Sequence, residues 1–130
     1  MKDNRMGKII KFPTNHRFQD QITKEVYPSY ESALSEFMEK IETKEFFQAG
    51  VPLSWLLHIG VPTATKFAKI YHKKIQKEPA IKEDLAKLAL YIKSSSANDF
   101  IHIMHKCFDV QGTQAINLYI QIKKNIQKQS

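Results

Sequence analysis

The sequence predicts an all-α fold: a compact bundle of five to six helices, one of them short and set between two Gly-Val-Pro turns, with an extended N-terminal arm. Three observations carry this. Beyond Pro28, apolar residues recur at intervals of three and four almost everywhere. No alternating run bounded by hairpin-type turn residues interrupts that pattern. The 130 residues are 42% hydrophobic, which suits one domain with one core. The chain divides into a basic extended or disordered arm, residues 1–26, and a single helical domain, residues 27–130.

The arm mixes basic residues with Gly7, Pro13 and Asn15 and has no helical stripe. Its one apolar cluster, Ile9-Ile10-Lys11-Phe12, suits strand addition to a partner's sheet edge or docking across its own domain, and docking is the simpler expectation.

The first helix opens at Pro28-Ser29, with Ser29 or Ser32 as cap and Glu31 near the positive end of the helix dipole. Tyr30, Leu34, Phe37, Met38 and Ile41 line one face and Glu36, Glu39 and Glu42 the other. A break is expected near Thr43, where Phe46 and Phe47 leave the stripe.

Gly-Val-Pro then occurs twice, at 50–52 and 60–62. Glycine past a helix end takes the left-handed conformation readily, and proline suits the first helical turn, so each tripeptide reads as a stop and a restart. Leu53 to Ile59 is then a short helix anchored by Trp55, Leu56 and Ile59. The helix after the second tripeptide is the most clearly two-faced. Ala64, Phe67, Ala68, Tyr71 and Ile75 share one side; Lys66, Lys69, Lys73 and Lys77 form a stripe on another, with Lys74 beside it and Ile70 on the border as an exposed contact residue.

After Pro79, Ile81, Leu85, Leu88 and Ile92 form a seam with Glu83 and Asp84 in the first turn, and Leu90 points away: either the helix is sandwiched between two neighbours, which is the expectation in a bundle of this size, or Leu90 is exposed. Ser96-Ala97-Asn98-Asp99 has the form of a capping box. Phe100, Ile101, Ile103, Met104, Cys107 and Phe108 then share one side, which buries Cys107 and makes it a poor nucleophile. Past Gly112, the apolar residues from Ala115 to Ile126 spread over a wide arc, the mark of a central helix. Leu118 and Ile122 are its expected core residues, and Lys123 to Ser130 turns basic and frays.

The net charge of +7 is unevenly distributed. Residues 28–50 carry five glutamates against two lysines, whereas residues 51–79 carry five lysines against one glutamate. Such a basic segment suits an acidic protein partner or nucleic-acid phosphates. A single cysteine excludes an internal disulfide and any multi-cysteine zinc site. Nothing marks the chain as Sec-exported or membrane-spanning, so the cytoplasm is the expected compartment, with export by a route other than Sec as the alternative.

Asn98, His102, His105 and Asp109 share the face opposite the core of their helix, a pattern that can hold a divalent metal or serve as acid and base, but without a further ligand. No phosphate loop, nucleophile elbow or dinucleotide fingerprint is present. The order of Leu53 to Gln76, a short helix, a glycine turn and a longer basic helix, is similar to a helix-turn-helix. Its inward recognition-helix positions fall on Lys66 and Lys69, so no family is assigned.

The reading is a small non-enzymatic regulatory or interaction protein, with no cofactor and no metal. It binds an acidic protein partner through Lys66, Lys69, Ile70, Lys73, Lys74 and Lys77. The alternatives are a nucleic-acid-binding protein using the same face and a metal-dependent enzyme built on His102, His105 and Asp109.

Overall fold

The computed structural model describes residues 22–129, and all regular structure among them is helical. The helices are α1 (Tyr30–Glu42), α2 (Phe46–Leu57), α3 (Val61–Lys77), α4 (Ile81–Leu85), α5 (Leu88–Lys93), α6 (Ala97–Phe108) and α7 (Gly112–Gln129). Helices α4 and α5 are one expected helix broken at Ala86–Lys87, so among the described residues there are six helices with the fourth in two pieces. The expected arm and its Ile9-Ile10-Lys11-Phe12 cluster lie outside the described residues up to residue 21. Residues 22–26 are non-helical, and the Thr23 backbone N–H donates to Ser54 Oγ.

Helix α1 starts as its sequence predicts. Ser29 caps it by accepting from the Ser32 N–H, and Ser32 Oγ accepts in return from the Ser29 N–H. Ala33, Leu34, Phe37 and Ile41 turn inward, and Thr43 ends the helix.

The first Gly-Val-Pro does not break the chain. Gly50, Val51 and Pro52 lie inside α2, where the expected short helix is instead the second half of a 12-residue one. Pro52 forfeits one intrahelical bond, to the Gln48 carbonyl, but its fixed φ is compatible with the helix. Gly50 serves a non-local purpose: a β-carbon there would lie 2.6 Å from Thr65 Oγ1, so its bare backbone is what lets α2 and α3 approach. The left-handed residue that closes α2 is His58, at φ 56°, ψ 47°, rather than a glycine. The second tripeptide does open a helix, with Gly60 as an extended N-cap and Pro62 in the first turn of α3.

Between these helices, buried Ser54 accepts from Thr23 N–H and donates to the Ile59 carbonyl, tying the entering chain to the α2–α3 turn. Trp55 is packed by Tyr27 and Tyr30, with ring centroids 5.4 and 5.6 Å away.

The centre of the core is an aromatic cluster joining three helices. Phe37 of α1, Tyr71 of α3 and Phe108 of α6 stand 5.5 to 6.1 Å apart by ring centroid, and Phe67 stacks on Phe108 at 5.5 Å. Helix α6 is the hub, packing on α3, α4, α5 and α7. This corrects the expectation that the last helix is central. Helix α7 packs mainly on α6, burying Ala115 and Ile122, while Leu118, Tyr119 and Ile126 are half-buried and Ile116 and Ile120 remain 44% and 46% exposed. Its helical backbone runs to Gln129. Leu90, expected between two neighbours, is 56% exposed on α5. Ser96 caps α6 by position, but its hydroxyl pairs with Ser94 Oγ at 2.8 Å, so the expected capping box is not made. Among the described residues no helix is long and apolar enough to cross a membrane.

Candidate functional site

Helix α3 is continuous because nothing interrupts it between Pro62 and Pro79, and a residue before proline disfavours helical backbone, which helps end it at Lys77. Ala64, Ala68, Tyr71 and Ile75 face the core. Thr65 Oγ1 donates back to the Val61 carbonyl at 2.8 Å, and Gly50 sits against Thr65 where α2 and α3 approach.

The lysine stripe lies on the opposite face. Lys66, Lys69, Lys73 and Lys77 are exposed, and among the described residues none of them has a carboxylate in ion-pair range. Ile70 is half-buried rather than fully exposed. Lys74 departs from the stripe: its Nζ lies 2.6 Å from Asp109 Oδ1, the left-handed residue that closes α6. The other ion pairs also use lysines away from the stripe. Lys106 meets Asp84 at 2.8 Å, Lys93 meets Glu31, and Lys40 lies 3.6 Å from Glu45. The Lys106 ammonium holds the Asp84 carboxyl below its usual range and is itself raised in return; the hydrogen bond from Lys93 lowers Glu31. Glu36, one of the acidic residues of α1, accepts from Tyr27 OH at 3.1 Å.

The histidine face does not come together as a site. His102, His105 and Asp109 are all exposed; Asp109 is engaged by Lys74, and the His105 ring faces the Val110 carbonyl at 3.4 Å. Among the described residues no three His, Cys, Asp or Glu side chains are grouped to hold a metal ion. Cys107 is buried as expected, and burial pushes its thiol up to about 12, far from the range in which a thiolate nucleophile forms.

A concave feature that sequence reasoning missed lies beside the stripe. Between α3 and α7 runs a half-open groove of about 330 Å³, near the lower limit for binding pockets. Buried Ile59 and Val110 and half-buried Leu118 supply its apolar lining, together with Phe67 of α3. Gln114, Asn117 and Gln121 line its α7 side. Those amides interrupt the apolar arc of α7 at intervals of three and four, the one sequence signal that this side of the helix does not pack into the core. Comparison with protein-family models, curated proteins and solved structures finds no match to this chain.

Proposed function

We propose that this chain is a small non-enzymatic interaction protein that binds an acidic protein partner through the exposed lysine face of α3. The observation that supports this most directly is the contrast within one helix. Lys74 is compensated by Asp109, whereas Lys66, Lys69, Lys73 and Lys77 stand exposed without a carboxylate partner among the described residues. Aligned like charges three and four residues apart repel, so the stripe contributes nothing to the helix that carries it. A surface of one sign instead raises the encounter rate with a partner of the other sign.

The test is capture from native lysate by the full chain, with and without nuclease, set against Lys69→Glu with Lys73→Glu. Capture of a protein that survives nuclease and is lost in the double variant supports the reading. Captured material that vanishes with nuclease assigns the stripe to nucleic-acid phosphates instead, in which case affinity falls linearly with salt on a log–log scale.

A further inference from the structure

We infer that the acidic partner is an amphipathic helix whose apolar side enters the groove between α3 and α7 while its acidic flank lies along the lysine stripe. This rests on the acidic-partner reading and adds where and how the partner sits. At ~100° per residue, Thr63, Phe67, Ile70 and Lys74 occupy one strip of the α3 surface, and Lys66, Lys69, Lys73 and Lys77 occupy the next. Thr63 and Phe67 also line the groove. The stripe therefore borders the groove, with half-buried Ile70 between them. Lys124 is exposed on α7, three residues past Gln121 of the groove, so cationic side chains flank both walls.

The groove's own chemistry narrows the occupant. An apolar lining with polar residues along one wall accepts side chains spaced at i, i+3 or i+4 and i+7 from a helix. Gln114 and Asn117 are exposed and can donate and accept at the polar edge of such a ligand. Phe67 is the one aromatic ring of the lining and one of its faces is stacked on Phe108, so the groove lacks the row of free rings on which successive nucleic-acid bases stack. The chain's own residues 1–21 precede Thr23 in sequence, and Thr23 bonds Ser54, which in turn bonds the groove residue Ile59. They carry five Lys and Arg against two Asp, however, and that excess would sit beside a lysine stripe. Charge complementarity favours an acidic helix from another protein.

The experiment titrates the full chain with a synthetic amphipathic helix bearing leucines at i, i+4 and i+7 and glutamates on the flank, read by anisotropy and by the side-chain NH2 signals of Gln114, Asn117 and Gln121. The expected result is binding that moves those signals and weakens roughly tenfold or more in each of three cases: Leu→Ser in the peptide, Lys69→Glu with Lys73→Glu in the protein, and Gln114→Trp, which fills the groove from an exposed position. The peptide change keeps the test independent of protein folding. Unchanged affinity of the Leu→Ser peptide, with loss on charge reversal, overturns the groove and leaves the acidic-partner reading standing. Failure of both acidic peptides to bind overturns both. Movement of the same amide signals by a peptide of residues 1–21 or by a single-stranded oligonucleotide, in preference to the acidic helix, overturns the occupant.

Discussion

A β-carbon built on Gly50 would stand 2.6 Å from Thr65 Oγ1 and 3.0 Å from the Thr65 backbone nitrogen. The first distance involves a side-chain atom, but the second is backbone, so α2 and α3 must separate to admit even a methyl group. In an isolated helix Gly→Ala is favourable by about 1 kcal/mol. Here overpacking opposes that gain, and Gly50→Ala should destabilise by about 1–3 kcal/mol in denaturant unfolding. Thr65→Ala in the same chain should recover part of the loss, because it removes Oγ1 and leaves the backbone nitrogen in place. A more stable Gly50→Ala protein would mean the helices are not in close contact there.

Tyr71 is almost fully buried, and its hydroxyl has no hydrogen-bond partner among the described residues. Burial raises the hydroxyl's pKa well above its ordinary value. A desolvated, unpartnered hydroxyl is a cost that its ring contacts with Phe37 and Phe108 must offset. Tyr71→Phe keeps the ring and removes the orphan group, so it should raise stability by about 1 kcal/mol in urea titration without changing the slope.

His58 gives the fold a pH dependence. Burial holds its imidazole below the usual value of 6.5, so between that value and the folded one the unfolded chain binds a proton that the folded chain does not. This contribution to stability is full above the ordinary histidine range and declines as pH falls through it. Melting temperature should drop from pH 7.5 to 5, and His58→Asn should flatten the drop, since asparagine tolerates the left-handed backbone at φ 56°. A slope unchanged by the substitution would assign it to another group.

How much of this was legible depended on whether the deciding contact was local. The faces of α1, α3 and α6 follow from apolar spacing within each helix, and so does the burial of Cys107. The Ser29 cap needed only three residues of context. The role of Gly50 depends on Thr65 in another helix, and no pattern around a Gly-Val-Pro separates a stop from a close approach. The rank of α7 was misread for a related reason: apolar residues around most of a helix describe a central helix or an incompletely covered one equally well. Of the candidate site, the stripe was visible as charge at helical spacing. The capture of Lys74 by Asp109 and the groove beside Phe67 required the packing of α3 against α6 and the placement of α7 across the groove.

The uneven cover on α7 separates two isoleucines only two residues apart. Ile122 is 1% exposed and belongs to the core, so Ile122→Ala should cost about 2–5 kcal/mol. Ile120 is 46% exposed, and Ile120→Ser should change stability by no more than about 0.5 kcal/mol. Equal melting temperatures for the two variants would reject the register of α7.

The lysine stripe makes the sharpest case, because two arrangements predict opposite signs for one variant. Were Lys69 and Lys73 neutralised by Glu39 and Glu42 of α1, Lys69→Glu with Lys73→Glu would place like charges together, lower the melting temperature, and be rescued by reversing those glutamates. The described ion pairs contain no such contact, and Glu36 is turned to Tyr27. With the stripe free, only its internal pairs matter. The wild type has repulsion between Lys66 and Lys69, Lys69 and Lys73, and Lys73 and Lys77. The double variant turns the first and third into attractions and leaves one repulsion, between the new glutamates. At about 0.2–0.5 kcal/mol per pair, the variant should be as stable as the wild type or slightly more so. The gain should disappear at 1 M salt, where the screening length falls to about 3 Å. A melting temperature that falls at low salt and recovers on reversing Glu39 and Glu42 would show that the stripe is internally paired, and would remove the observation on which the acidic-partner reading rests.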